Sequence, residues 1–192
     1  DGVSVNVPFI GDHNVENSSI ALALLLSLGL VTSSDNFARI PPVPGRLEPV
    51  GPYKNFFVDY AHTPDALERA LISLRPYCKG KLWVLFGCGG DRDKGKRPVM
   101  GEIACRLADE VVLTSDNPRT EDPQSIVDDA RKGCSGKSIH VEVDRGKALR
   151  FSAKHVSPED VALVAGKGHE NYQIVGKTKI HFSDQEILKE AL

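Results

Sequence analysis

The chain has 192 residues, 41% of them hydrophobic, and its 24 basic and 26 acidic side chains give a formal net charge of -2. This length and hydrophobic share suffice for one large domain with a buried core, or for one domain with a piece of another. Because the charge balance leaves no basic surplus, we expect neither a nucleic-acid partner nor a membrane partner.

The cysteines and the termini indicate the compartment. The four cysteines show neither metal-ligand spacing nor a CxxC pair, so we expect reduced thiols, a cytoplasmic location and no metal site within the chain. The longest apolar run, residues 20–31, is shorter than the roughly 20 residues that span a bilayer. The first residues lack a signal peptide and start as a strand, which indicates a fragment. We also expect the protein to be a monomer.

The first predicted element is a helix over residues 15–31, whose apolar positions lie almost all round it and indicate burial. The segment IPPVPGR at 40–46 holds three prolines and a glycine, which cannot form a helix or an interior strand. We therefore place a domain boundary there, with residues 1–42 as the end of one domain and residues 43–192 as another.

Beyond this boundary, short apolar strands alternate with helices. The predicted strands of the sheet are 56–60, 82–86, 111–113, 139–143 and 161–165. Signals for helix N-termini follow these strands, for example at Thr63-Pro64 and Asp122-Pro123. A hairpin is predicted around Gly176-Lys177, and it precedes a terminal helix capped by Ser183. The pattern predicts an α/β fold: a Rossmann-like, mostly parallel sheet with helices on both faces and a C-terminal β-hairpin.

Ligands of such sheets gather at the carboxyl ends of the strands. The loops that follow the predicted strands are all rich in charge or glycine. They read DYAH (59–62), GCGGDR (87–92), DNPR (116–119), DR (144–145) and GKGHE (166–170).

The glycine-rich loop at 87–97 has three interpretations. It fails the dinucleotide fingerprint GxGxxG, because Arg92 stands where a glycine is needed. The first interpretation is a phosphate loop: residues 90–97 come closer to GxxxxGK[ST], although Arg97 replaces the hydroxyl residue and Asp91 and Asp93 would repel phosphate. It could instead be a solvated mixed-charge loop, or a site where Arg92 and Lys94 meet a carboxylate.

The loop TSDNPRTEDP (114–123) combines a rigid turn with an arginine. Asp-Asn-Pro is ordinary turn chemistry, but a turn alone does not require Arg119, whose planar two-donor fork suits a carboxylate. Asn117 can donate and accept, and Asp116 can accept from an ammonium group or fix the arginine. These residues describe a receptor for the polar end of an amino acid. The GKGHE segment is either a bend into the hairpin or, through Glu170 and a freed carbonyl, a second part of that receptor.

Four segments, in this order, closely resemble the carboxy-terminal domain of the Mur ligases. They are FVDYAHTPDAL (57–67), GCGGDRDKGKRPVM (87–100), TSDNPRTEDP (114–123) and AGKGHENYQ (165–173). GDHNVEN (11–17) and VPGR (43–46) resemble the end of the family's central ATP-binding domain. The resemblance therefore implies a remnant of that domain at 1–42 and the amino-acid-binding domain at 43–192.

The resemblance implies an ATP-dependent amide ligase of peptidoglycan synthesis that uses ATP and Mg²⁺. ATP would phosphorylate a carboxylate of UDP-MurNAc-L-Ala-D-Glu, and the amine of a diamino acid would attack the acyl phosphate. In the family the DNPR motif marks enzymes that take meso-diaminopimelate rather than lysine. The residues implied for meso-diaminopimelate are Arg92, Asp116, Asn117, Pro118, Arg119, Gly166 and Glu170, and those implied for ATP are Asn14, Asn17, Arg46, Asp59 and His62.

The chain also departs from the family. It contains no GxxGK[ST] phosphate loop, and neither the lysine that the family carboxylates for magnesium nor the domain that holds the UDP group is identified in it. We therefore assign no catalytic residue and expect the isolated chain to be inactive. A stand-alone amino-acid-binding module is the alternative, and a folate-adding relative is a third hypothesis that DNPR and GKGHE do not suit.

Overall fold

A computed structural model describes residues 9–30, 40–41, 43–53 and 55–192. The chain divides into two compact units, Asp1–Val43 and Pro44–Leu192. The strand expected at the very start of the chain lies outside the described residues. The assignment of these units to two Mur ligase domains stays a prediction.

The first unit contains helix α1 (Asp12–Ser27), which begins after Gly11 without a side-chain cap. Its apolar side chains are exposed, including Ile20, Leu24 and Leu26. The expectation that this helix is buried is therefore wrong for the described residues. Because its apolar positions lie almost all round, burial would need neighbours on several sides.

The second unit is built on a six-stranded sheet among the described residues, in the order β1-β2-β6-β3-β4-β5. The strands are β1 (Glu48–Val50), β2 (Phe56–Asp59), β3 (Leu82–Phe86), β4 (Glu110–Leu113), β5 (His140–Val141) and β6 (Val161–Ala165). All neighbouring pairs are parallel except β1 and β2. This confirms the predicted mostly parallel sheet, to which the sequence did not assign the antiparallel edge strand β1.

Helices cover both faces of this sheet. They are α2 (Pro64–Leu74), α3 (Lys96–Leu107), α4 (Pro123–Arg131), α5 (Arg145–His155) and α6 (Asp184–Ala191). On one face, α5 and α6 bury Leu149 and Leu188 against Val58, Leu85 and Val112, while α2, α3 and α4 pack side by side. Four of these helices begin at a side-chain cap, as the sequence predicts, and the caps are Thr63, Asp122, Asp144 and Ser183.

The predicted C-terminal hairpin is present as β7 (Tyr172–Val175) and β8 (Thr178–His181). Its turn contains Gly176 at a φ of 60°, a left-handed conformation that favours glycine. Arg119 forms an isolated parallel bridge with Val175. The hairpin is thereby joined to the loop that follows β4.

Two of the four cysteines differ from expectation. Cys105 and Cys134 are paired as a disulfide, with Cα atoms 5.6 Å apart, whereas Cys78 and Cys88 are free. The expectation of reduced thiols is wrong for this pair. The two cysteines lie where α3 packs closely against the end of α4, since a Cβ atom at Gly101 would overlap the Ala130 carbonyl oxygen. Within the described part of the chain, no helix is long and apolar enough to cross a membrane.

Candidate ligand-binding cleft

A cleft of about 310 Å³ opens in the second unit, where loops follow β2, β3, β4 and β6. Most of its walls come from the loops that the sequence singled out. It is lined by Tyr60, His62, Thr63, Gly89, Arg92, Asp93, Lys96, Asp116, Asn117, Arg119, Gly166 and Glu170. Seven of the twelve predicted binding residues are among them, while Pro118 is buried beside the cleft.

The loop after β4 holds Arg119 in a backbone conformation with φ of 51°, which non-glycine residues seldom adopt. The hairpin holds it there. The Arg119 N–H donates to the Ile174 carbonyl at 3.0 Å, and the Gly176 N–H donates to the Arg119 carbonyl at 2.7 Å. These hydrogen bonds, to residues about 55 positions further along the chain, compensate the energetic cost of the unusual backbone conformation.

The Arg119 side chain is half-buried and faces the glycine-rich loop. Its Nη1 donates to the Gly90 carbonyl at 2.8 Å. A Cβ atom at Gly89 would lie 3.0 Å from that Nη1 and 3.6 Å from Arg92 Cγ. Arg92 and Arg119 therefore lie on the same wall of the cleft, against the bare glycine backbone.

The two loops touch through their backbones at this wall. The Gly90 N–H donates to the Asn117 carbonyl at 2.9 Å. A Cβ atom at position 90 would overlap the Pro118 carbonyl oxygen, so only glycine permits this approach. The loop does not hold a dinucleotide fingerprint, but its glycines serve a similar purpose by letting two backbones meet.

Another wall of the cleft carries negative charge. Asn117 Nδ2 donates to Glu170 Oε2 at 3.1 Å, and Glu170 Oε1 accepts from the Tyr172 hydroxyl at 3.1 Å. Asp116 is 6% exposed, and a Cβ atom at Gly166 would lie 2.7 Å from its Oδ2. Two carboxylates and two guanidinium groups thus line the same cleft.

The phosphate-loop interpretation of residues 90–97 is not supported by the position of Arg97. Its side chain is fully buried and pairs with Glu121 at 2.8 Å and with Asp129 at 3.0 Å. Lys94 also pairs with Glu121, at 3.1 Å. The loop is therefore cross-linked by ion pairs, and only Arg92 and Asp93 of its charged residues at 91–94 line the cleft.

The residues predicted for ATP fall into two groups. Arg46 lies over the Tyr60 ring at 5.3 Å, and the His62 ring lies 4.7 Å from the same ring. Tyr60 and His62 line the cleft, and the roles of Arg46 and His62 toward ATP stay predictions. Asp59 accepts from the Leu47 N–H at 2.7 Å and the Ala61 N–H at 2.8 Å. Its carboxylate thus stabilises a strand end, and its role toward ribose stays a prediction.

Asn14 and Asn17 lie in the first unit, on α1. Asn14 Nδ2 donates to the Ile10 carbonyl at 2.7 Å, and Asn17 is exposed. Among the described residues, His, Cys, Asp and Glu side chains form no group of three or more that could hold a metal ion. We therefore assign no magnesium ligand to them.

Sequence reasoning missed Lys167, which is fully buried directly behind the negative wall. Lys167 is part of the GKGHE segment, but the sequence alone indicates no role for it. The signal was a lysine flanked by two glycines, which is equally typical of a solvated bend. Only its burial distinguishes the two.

The fold and the cleft define a class: a Rossmann-like α/β domain whose strand ends form a cleft lined by side chains of both charges, the place where such sheets bind ligands. Residues 45–168 match the family model described as Mur ligase, glutamate ligase domain. The chain therefore belongs to the Mur ligase family.

Relatives with similar sequences share one name, UDP-N-acetylmuramoyl-L-alanyl-D-glutamate–2,6-diaminopimelate ligase. The protein from Vibrio vulnificus strain YJ016 is 51% identical over 98% of this chain, and that from Synechococcus elongatus strain PCC 7942 is 50% identical over 96%. The chain spans 39% and 38% of their lengths, respectively.

Solved structures agree on the fold. A ligase of the same name superposes with a TM-score of 0.76 and 41% identity, over 98% of this chain and 40% of that structure. A folylpolyglutamate synthase from Thermotoga maritima superposes with a TM-score of 0.66 over 86% of this chain and 38% of that one. Because the latter is only 24% identical, it supports the architecture alone.

Proposed function

We propose that this chain is the amino-acid-binding part of an ATP-dependent ligase that adds meso-diaminopimelate to UDP-MurNAc-L-Ala-D-Glu in peptidoglycan synthesis. One observation carries the proposal. Arg92 and Arg119 lie next to each other in a cleft that is also lined by Asn117, Glu170 and Asp116. The names of the similar proteins agree with a ligand of this charge pattern.

The chemistry of the two walls suits a diamino dicarboxylic acid. Arg119 and Arg92 would bind its distal carboxylate by charge-assisted hydrogen bonds. Glu170 and the Gly166 carbonyl would bind the distal ammonium, while Asn117 and Asp116 complete that end. With the far end held at both charges, the other amine is left to act as the nucleophile. Lysine has no second carboxylate, so it would leave the arginines unpaired.

ATP would supply the phosphoryl group that activates the acceptor carboxylate. Toward the nucleotide, His62 offers an aromatic face in the same cleft and Arg46 offers a cation that lies over the cleft residue Tyr60, and Asp59, Asn14 and Asn17 remain proposed contacts. We also propose Mg²⁺ as a cofactor, the UDP-MurNAc-dipeptide as the partner substrate, a monomer, and a cytoplasmic location where ATP is available.

The test is amide formation by the natural full-length protein, with meso-diaminopimelate and L-lysine compared at saturating ATP and UDP-substrate. We expect turnover with diaminopimelate and little with lysine. Arg119→Ala should raise the KM for diaminopimelate by an amount equivalent to about 2–5 kcal/mol, the usual cost of breaking a buried charge pair. Arg131→Ala, at an exposed arginine on α4, is the matched control and should leave the KM unchanged.

A binding module without chemistry is the alternative, because the cleft is assembled from this chain while the phosphate-loop motif is missing from its sequence. Titration calorimetry of this 192-residue chain with both diamino acids separates the two functions. We expect weak binding by the chain and no turnover. Tight binding here, combined with no amide formation by the full-length protein, would favour the module.

A further inference from the structure

Lys167 places a buried ammonium group behind the cleft. Its side chain is fully buried, and its Nζ donates to the Tyr172 carbonyl at 2.7 Å and to Asn117 Oδ1 at 3.0 Å. The same Nζ lies 3.5 Å from Asp116 Oδ1 and 3.7 Å from Glu170 Oε2. Lys167 does not line the cleft, whereas Asp116, Asn117 and Glu170 do. It can therefore act on a ligand only through those three side chains.

The first consequence concerns the orientation of the Asn117 amide. Asn117 Oδ1 accepts from Lys167 Nζ at 3.0 Å and from the Ile174 N–H at 2.9 Å. A flipped amide would turn its NH₂ group toward two donors, so this orientation is fixed. Nδ2 must then point to Glu170, to which it donates at 3.1 Å. Lys167 thereby determines where the Glu170 carboxylate is held.

The second consequence concerns charge. Asp116 and Glu170 together carry two negative charges, and Lys167 supplies one nearby positive charge. Asp116 Oδ1 is buried without a hydrogen-bond partner among the described residues. This oxygen is thus able to accept a hydrogen bond from a ligand ammonium group. Without Lys167, Asp116 and Glu170 would lose the cation that lies 3.5 and 3.7 Å from their carboxylate oxygens and would repel each other.

Other charged and titratable groups face this cluster. They are Arg145 at the start of α5, Asp184 at the start of α6, Tyr172 on β7 and Cys88 after β3. Burial lowers the pKa of the Lys167 ammonium from its ordinary value, while Asp116 and Glu170 act in the opposite direction. Arg145 and Asp184 compensate each other in a bidentate pair.

We propose that Lys167 is a positioning residue that makes the cleft selective for a ligand with a protonated amine, by fixing the Asn117 amide and by holding the Asp116 and Glu170 carboxylates in place. The ligand class is a small amino acid with a second ammonium group. This inference rests on the proposed function, and it adds a residue that contacts the ligand only through others.

The experiment measures kcat and KM for meso-diaminopimelate on the natural full-length protein and its Lys167→Met variant. We expect KM to rise at least tenfold in the variant while KM for ATP changes less than twofold. We expect kcat at saturating diaminopimelate to change less than KM, because Lys167 acts on the side chains that hold this ligand. Lys177→Met, at the exposed hairpin turn, should match the unmodified protein.

Two further variants keep the test decisive if Lys167→Met folds poorly. Asp116→Asn alone removes the negative charge of one carboxylate that Lys167 holds and should also raise the KM for diaminopimelate at least tenfold. Lys167→Met combined with Asp116→Asn should raise this KM by less than the product of the two single effects, because the two side chains act together. An unchanged KM in Asp116→Asn would overturn the proposal, as would a loss in Lys167→Met that raises all substrate KM values alike. No turnover by the unmodified protein would instead refute the proposed function.

Discussion

Glu121 ties the loop after β3 to the loop after β4. Its carboxylate accepts from Arg97 at 2.8 and 3.1 Å and from the Asp91 N–H at 2.6 Å, and it pairs with Lys94 at 3.1 Å. These donors favour the charged form, with the hydrogen bonds from Arg97 contributing most, and they lower the pKa of Glu121 from 4.5 to about 2. The position of the glycine-rich wall thus depends on the charge of one residue.

The pKa shift of Glu121 determines how its contribution to the free energy of unfolding changes with pH. Because the pKa of Glu121 is lower in the folded state, its contribution to stability is complete above pH 4.5 and is lost as the pH falls toward about 2. We expect Glu121→Gln to lower the free energy of unfolding in urea at pH 6, and the difference from the unmodified protein to shrink by pH 3. Glu159→Gln, at an exposed carboxylate outside this network, is the control. A difference that stays constant with pH would contradict this role.

The residue types of the cleft could be predicted from sequence, but the contacts that hold these residues in place could not. Arg119, Asn117 and Glu170 stand directly after apolar runs, where strand ends present ligand-binding side chains. The left-handed conformation of Arg119 depends on the hairpin, and no local pattern indicates that contact. Lys167 and Arg97 are typical solvent-exposed residue types, so their complete burial follows only from the tertiary structure.

At the scale of elements, a buried ion pair joins two helices to the ends of two strands. Arg145 at the start of α5 donates to both carboxylate oxygens of Asp184 at the start of α6, at 2.8 and 2.7 Å. It also donates to the carbonyls of Ser115 at 3.3 Å and Ala165 at 3.0 Å, just after β4 and at the end of β6. Both side chains are fully buried. The pair therefore braces the edge of the sheet that carries the cleft.

Removing one partner should be costly. Asp184→Asn would leave the Arg145 guanidinium buried without its counter-charge, and we expect a loss of about 3–5 kcal/mol in the free energy of unfolding, measured by urea unfolding at pH 7. Glu190→Gln removes an exposed carboxylate that lies 3.9 Å from Arg150, and it should cost less than about 1 kcal/mol. Equal effects of the two substitutions would show that the buried pair has no special structural role.

The elements themselves were largely predictable, because apolar runs and N-caps are local signals. The strands β2, β3, β4 and β6 are continuous buried runs, as expected for parallel strands covered on both faces. The edge strand β1 (Glu48–Val50) contains a proline and only three residues, so it gave no strand pattern. Its antiparallel pairing with β2 is a property of the assembled sheet.

At the scale of the whole second unit, Cys105 on α3 is cross-linked to Cys134, which follows α4. These two helices follow the loops that form the arginine-bearing wall of the cleft. The glycines at 101 and 133 let the helices approach closely, since a Cβ atom at Gly133 would overlap the Pro98 carbonyl oxygen. Proteins of the cytoplasm seldom keep disulfides, so the redox state of this pair bears directly on the proposed location.

A disulfide that closes a loop of 29 residues restricts the unfolded chain, and loop entropy predicts a stabilisation of about 3–4 kcal/mol. We expect dithiothreitol to lower the urea midpoint of this chain, and Cys134→Ser to lower it equally with or without the reductant. Cys78→Ser, at a free cysteine, should respond to dithiothreitol as the unmodified chain does. Thiol titration before reduction should count two free cysteines. Four free thiols, together with a midpoint that dithiothreitol does not change, would show that the pair stays reduced and that close packing of α3 and α4 alone holds the two sulfurs together.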